Sequence, residues 1–265
     1  MALIFRLIFF FMAAVFFTGC MPKEPVHIEK QIQIQLDEEF VKSVFFSPSH
    51  DTIRAVAKIG IEAKNSSSSQ RVAAAVRYPS SIRIESLPLF GTANFLFSMY
   101  EGIFKFYIPE EEKFYFGSAT GKNLYDFFGI YLSPQEITSI LTGRPPYVPN
   151  RKHRYFGYKT GDEIRIDLGS QKGIIQSVWM GPDRRISHLK VFTEDGTPRF
   201  EASFDAFIRG NGKEREYPSR ISLLIHMPEP ASVKVRYTGM NITSGEGSEF
   251  FDLELPEGLS PIHLD

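Results

Sequence analysis

Cys20 is the single cysteine of a 265-residue chain, which excludes every chemistry that needs two thiols: disulfide frameworks, thiolate zinc sites, CxxC redox exchange and iron–sulfur clusters. The six histidines, His27, His50, His153, His188, His226 and His263, stand singly, with no HxxxH or HExxH spacing to bring two ligands onto one helix face. Gly117-Ser118-Ala119-Thr120-Gly121-Lys122-Asn123 looks like a phosphate-cradling loop. It is one residue short, however, and ends in Asn where a Ser or Thr hydroxyl would bind magnesium. No GxSxG nucleophile elbow is present. Two charge runs remain. Glu110-Glu111-Glu112 reads as a solvated hairpin tip, and Arg151-Lys152-His153-Arg154 as a solvated loop or a contact for anionic headgroups or an acidic carrier. No catalytic residue, metal or cofactor is assigned, and an enzyme is the least expected outcome. With 30 Lys and Arg against 31 Asp and Glu, the chain lacks the basic footprint of a nucleic-acid binder, so no nucleic-acid partner is expected.

The chemistry that suits Cys20 is acylation. One positive charge at Arg6, the apolar run Leu7–Phe17 and the small residue Gly19 make an export signal over residues 1–19. The run is short of the roughly 20 residues that a spanning helix needs, so an uncleaved anchor is the weaker reading. Phe16-Phe17-Thr18-Gly19-Cys20 resembles the bacterial lipobox, with an ordinary secretory signal as the alternative. The resemblance implies that Cys20 becomes the first mature residue and is acylated on sulfur and on its amino group. Several acyl chains would hold the protein on a membrane. Residues 20–36 then form a lipidated tether, polar and with prolines at its start, and residues 37–265 the folded domain. Met21 stands where enteric inner-membrane lipoproteins carry aspartate, which favours the outer membrane, facing the periplasm.

The domain must be built mainly from strands. Ile53, Ala55, Ala57, Ile59, Ile61 and Ala63 alternate with mostly polar residues, a period of two that predicts a long strand with one buried face. Arg71–Tyr78 and Ser81–Glu85 continue the pattern. Hairpin signals recur at Glu101-Gly102, Gly161-Asp162, Gly181-Pro182-Asp183, Asp195-Gly196 and Asn211-Gly212. The expectation is a single antiparallel sheet of about eleven strands with short turns. Helices are few: an amphipathic turn or two over Asp37–Phe46, a short helix at Leu124–Phe128, and a clear start at Ser133-Pro134-Gln135-Glu136 with its stop at Gly143.

So large an apolar sheet face under so few helices must curl on itself or leave a cavity. Strand-borne aromatics and small apolar residues, lidded by the inserted helices, would suit a long apolar ligand. The candidate lining is Ile59, Ile61, Val72, Ala74, Val76, Ile84, Phe95, Phe97, Phe104, Phe106, Phe128, Ile137, Leu141 and Trp179. A fully packed core is the alternative.

The order of elements resembles the LolA/LolB superfamily of periplasmic lipoprotein carriers, and within it the lipidated outer-membrane receptor LolB. Arg71–Tyr78 and Ser81–Leu87 lead into Pro88-Leu89-Phe90-Gly91-Thr92, similar to the family's Pro-Leu-Gly loop with Phe90 added. Asn123–Ile130, Ser133–Leu141 and Thr142-Gly143-Arg144-Pro145 resemble its two lid helices and their ending. The long opening strand behind a short helix is the third likeness, and Phe251–Pro256 with Ile262, resembling its closing strand and tail, is the fourth. The resemblance implies an incomplete barrel whose concave side takes the acyl chains of a lipoprotein under a helical lid. It implies transfer to the outer membrane without a cofactor, with outer-membrane lipids, acylated cargo and a soluble LolA-like carrier as partners. It also makes Leu89 the membrane-touching tip, with Leu87 and Phe90 enlarging it, unless the loop packs under the sheet. A lipid-sensing lipoprotein of the same fold, or an assembly platform without cargo, are the alternatives.

Overall fold

The computed structural model describes residues 30–46, 51–64, 66–148, 153–210, 215–244 and 247–264. The signal 1–19, Cys20, His27, His50, Arg151, Lys152 and Asn211-Gly212 lie outside the described residues. Gln31–Asp265 is one compact unit, so the folded part begins within the stretch read as a tether.

Among the described residues, fifteen strands form one sheet. They are β1 (Ile32–Ile34), β2 (Asp51–Ala63), β3 (Ser66–Arg77), β4 (Ser81–Ser86), β5 (Leu96–Tyr100), β6 (Ile103–Ile108), β7 (Lys113–Ser118), β8 (Arg154–Thr160), β9 (Glu163–Ser170), β10 (Gly173–Met180), β11 (Ile186–Phe192), β12 (Pro198–Arg209), β13 (Glu216–Ile225), β14 (Ala231–Ser244) and β15 (Pro261–His263). In space they run β1-β8-β9-β10-β11-β12-β13-β14-β2-β3-β4-β5-β6-β7-β15. Neighbours are antiparallel except β15, which lies parallel to β7. The two ends of the order do not pair, so the sheet is a curved, incomplete barrel. Its edges are strands of three residues each, too short to template another chain's pairing.

The period of two sets the faces. Ile53, Ala55 and Ala57 are buried on the inner side of β2 while Arg54 and Lys58 are exposed outside. Among the described residues three α-helices accompany these strands: α1 (Glu38–Phe45), α2 (Gly121–Phe128) and α3 (Pro134–Leu141). The start of α3 is a full capping box. The Ser133 hydroxyl accepts from the Glu136 amide at 3.2 Å, and the Glu136 carboxylate accepts from the Ser133 amide at 2.8 Å.

Fifteen strands replace the eleven or so expected, because five carry little signal. β1 and β15 are too short to show a period. β7, Lys113-Phe114-Tyr115-Phe116, is apolar on both faces, and β8 begins at Arg154, the last residue of the basic run that reads as a loop. β14 alternates through Val233, Val235 and Tyr237 but starts behind Pro228 and Pro230. The stretch Phe251–Pro256, expected to be the closing strand, is not one. Ser248–Phe251 is a 3-10 helix, and the chain then crosses the outer face as a strap. Its carbonyls and Asp252 are held by side chains instead of a ladder: Arg83 donates to the carbonyls of Phe250 and Asp252, and Lys105 to Asp252.

Candidate functional site

Between the inner face of β2–β5, β13 and β14 and the two helices α2 and α3 lies a cavity of about 190 Å³. Ile59, Ile61, Val72, Ile84, Phe95, Phe97, Phe128, Ile137 and Leu141 line it, as expected, and among the described residues its polar lining is Ser68 and Gln70. Such a wall offers dispersion contacts and no partner for a charge, so it suits a hydrocarbon chain. The lining also includes Ile82, Leu124, Ile130, Leu132, Ile140, Ile221, Leu223, Val233 and Val235. Ile221 and Leu223 were available from the alternation of Ser219–His226, whereas Val233 and Val235 belong to the unanticipated β14.

Five expected lining residues are elsewhere. Phe104 and Phe106 are packed against Phe127 of α2 at centroid distances of 5.0 and 5.1 Å, because α2 sits directly on β6 and uses those rings as its seat. Ala74 and Val76 are buried in the core and do not line the void, although their cross-strand partners Ile84 and Ile82 do. Trp179 is on the outer face, edge-on to His188 at 4.9 Å and beside the Arg165 guanidinium.

The cavity opens at one end. Along β3 the inner residues pass from fully buried Val76 through Ala74 and Val72 to exposed Gln70 and Ser68, and opposite them Ile59 and Ile61 are half-buried. That end gathers several turns. Leu87 donates its amide to the Arg71 carbonyl at 2.7 Å, so the loop that follows hangs beside the mouth. Leu89 and Phe90 at its tip are 90% and 92% exposed, which rules out the buried-loop alternative and puts both residues at the tip. Leu87 itself is half-buried at the base. Gly129, which ends α2, faces Ala63 at the end of β2, and the β13–β14 turn leads to Ala231, which pairs with Ala63.

The lid is fastened at the other end. Gly143 has φ +64°, and an added Cβ would come within 2.5 Å of Pro218, so the chain leaves α3 in tight contact with β13. The buried Tyr237 hydroxyl donates to the Leu141 carbonyl at 3.3 Å, and burial pushes this phenol far above its ordinary range. Thr138 donates to the Pro79 carbonyl. At the level of the open end instead, where Phe200 is in register through Ile225 with Ala231, Arg199 of β12 reaches the Glu136 carboxylate at 2.8 Å. Beside the Gly143 contact, burial and the neighbouring Arg144 cation lower the Arg215 guanidinium to about 10.

Other chemistry-bearing residues have local explanations. Thr120 caps α2 by accepting from the Asn123 amide, and buried Asn123 donates to the Ser118 carbonyl, so the loop that looks phosphate-binding is a helix start. His188 and His226, far apart in sequence, flank Glu201 at 3.5 and 3.2 Å, a juxtaposition that single spacing gives no hint of. Among the described residues no group of three His, Cys, Asp or Glu side chains is placed to hold a metal ion. Glu110–Glu112 is an exposed hairpin tip, as expected.

An open curved sheet with a lidded apolar cavity is the LolA-like incomplete-barrel fold. Comparison with solved structures agrees. A LolA superfamily protein from Nitrosomonas europaea superposes with TM-score 0.52 at 13% identity, covering 81% of this chain and 95% of that one. A DUF1329 family protein from Desulfovibrio piger gives TM-score 0.51 at 11% identity, covering 78% and 91%. No protein-family model and no curated protein matches the sequence.

Proposed function

We propose that this protein is a bacterial envelope lipoprotein, anchored through Cys20 to the outer membrane, that holds acyl chains of lipoproteins in its cavity and helps deliver them to the membrane. The carrying observation is the cavity: almost wholly apolar walls, a helical lid and one open end. Exposing a chain of more than a dozen carbons to water costs on the order of 10 kcal/mol, so a carrier must offer apolar surface in exchange. Transfer then needs only a modest difference in affinity between cavity and bilayer, with no covalent step and no enzyme chemistry. The fold shared with a LolA superfamily protein supports this reading, and a soluble carrier of that kind is the natural donor. Leu89 and Phe90 project beside the mouth, where a membrane-touching tip would shorten the path from cavity to bilayer.

Native mass spectrometry of residues 21–265, with an acylated peptide and its unacylated twin, tests the proposal. One-to-one binding of the acylated peptide alone supports it. Equal behaviour of the two peptides refutes it, and a co-purifying lipid that the acylated peptide does not displace moves the reading to another lipid cargo.

A further inference from the structure

Four cations stand in one row on the outer face of the sheet. Arg220 of β13 lies directly opposite Arg236 of β14, Arg236 opposite Lys58 of β2, and Lys58 opposite Arg71 of β3. All four are exposed. Arg220 reaches Asp205 at 3.1 Å at one end of the row. Among the described residues, the side chains of Arg236, Lys58 and Arg71 have no ion pair or hydrogen bond. Like charges directly opposite one another destabilise a sheet, so three successive pairs of this kind work against the fold.

Next to the row, toward the open end, runs a shallow trough of about 460 Å³ that includes Gly60, Ser69, Ser222 and Lys234. Gly60 lies in register between Lys234 and Ser69. A Cβ there would meet nothing nearer than 3.9 Å, so packing does not call for glycine. The trough leaves room for a backbone beside the cations.

The same face shows what its cations hold. Nearer the closed end, Arg54 and Arg77 lie 4.6 Å from the rings of Phe250 and Phe251. Arg83 binds the carbonyls of Phe250 and Asp252 at 3.1 and 3.0 Å, and Lys105 the Asp252 carboxylate at 2.5 Å. There the occupant is the chain's own strap, an irregular segment presenting carbonyls and a carboxylate.

From this we infer that the row and trough dock a short acidic segment of a partner protein, laid across β13, β14, β2 and β3 much as the strap is laid beside them. Three inter-strand steps span about 14 Å, the length of roughly four extended residues. An anionic bilayer fits less well. The row is narrow and has acidic neighbours, Asp205, Glu62 and Glu85, on the same face. Because the row and the cavity are on opposite faces, partner and cargo are held independently.

The test is fluorescence anisotropy of a labelled peptide of alternating glutamate and serine, titrated with the full chain in dodecyl maltoside. Saturable binding that weakens with salt is expected. The double variant Lys58→Glu/Arg236→Glu should lose about thirtyfold in affinity at low salt without a lowered melting temperature, since repulsion is relieved. Lys159→Glu, an exposed lysine on distant β8, should leave binding unchanged. If the charge reversal misfolds the chain, Lys58→Gln/Arg236→Gln makes the same comparison. No binding by the wild type, equal binding by the neutralised variant, or binding of phosphatidylglycerol vesicles through these residues without binding of the peptide overturns the inference.

Discussion

Acyl-chain length gives a quantitative test of the cavity. An apolar void of about 150 Å³ accepts the six carbons of benzene, so a cavity of about 190 Å³ holds roughly eight carbons with the lid shut. Each buried methylene contributes about 0.8 kcal/mol, close to a fourfold change in affinity. A series of fatty acids should therefore bind residues 21–265 about fourfold more tightly per added carbon up to about eight carbons, a span near 6 kcal/mol, and more shallowly beyond. Ile61, half-buried at the rim, can be enlarged inward. Ile61→Trp should move the break to shorter chains while leaving the initial slope unchanged. Displacement of a fluorescent acyl probe reads both quantities. Affinity independent of chain length would refute acyl burial in this cavity, and a slope running unbroken to sixteen carbons would refute a lid that stays shut.

Leu89→Glu with Phe90→Glu should weaken partition onto phospholipid vesicles while changing stability by less than about 0.5 kcal/mol, because both side chains are already in water. Flotation and urea unfolding measure the two effects. Gly143→Ala combines a positive φ with a Cβ within 2.5 Å of Pro218 and should cost about 3 kcal/mol, visible as a lower urea midpoint. His188 has its pKa held below the ordinary 6.5, mainly by burial, with Glu201 opposing and Lys190 assisting the shift. Well above pH 6.5 the ring is neutral in both folded and unfolded chains and contributes nothing. As pH falls below that, the unfolded chain takes up the proton first and stability declines until the folded pKa is passed. His188→Gln should flatten this decline when unfolding is compared at about pH 7.5 and about pH 5.5.

Much of this molecule is readable from local pattern. The inner face of β2, the capping box at Ser133 and Glu136, and the glycine stop at Gly143 all follow from spacing and residue type. So do the cavity residues borne on β2–β5 and α3. What is not readable depends on which elements meet. Phe104 and Phe106 have the pattern of lining residues, and only the seating of α2 on β6 makes them packing residues. Trp179 sits on a strand that is apolar on both faces, Ile175 and Trp179 on one and Val178 and Met180 on the other, so alternation does not say which face is inner. The Phe251–Leu255 alternation imitates a strand, yet its partners are Arg83 and Lys105, far away in sequence. The cation row is invisible for the same reason: its members come from strands at both ends of the chain.

The pairing of β2 with β14 joins the first long strand to the last. Until β14 has been synthesised, the thirteen residues of β2 keep one flank of amides and carbonyls unpaired. At about 5–20 residues per second, the intervening chain takes roughly ten to forty seconds to make. A β2–β3 hairpin formed in that interval would be an exposed template for aggregation, with its apolar face still uncovered. A chain of this topology therefore depends on being kept unfolded or escorted until its final strands arrive, and truncation before residue 231 leaves the central seam of the sheet without one side.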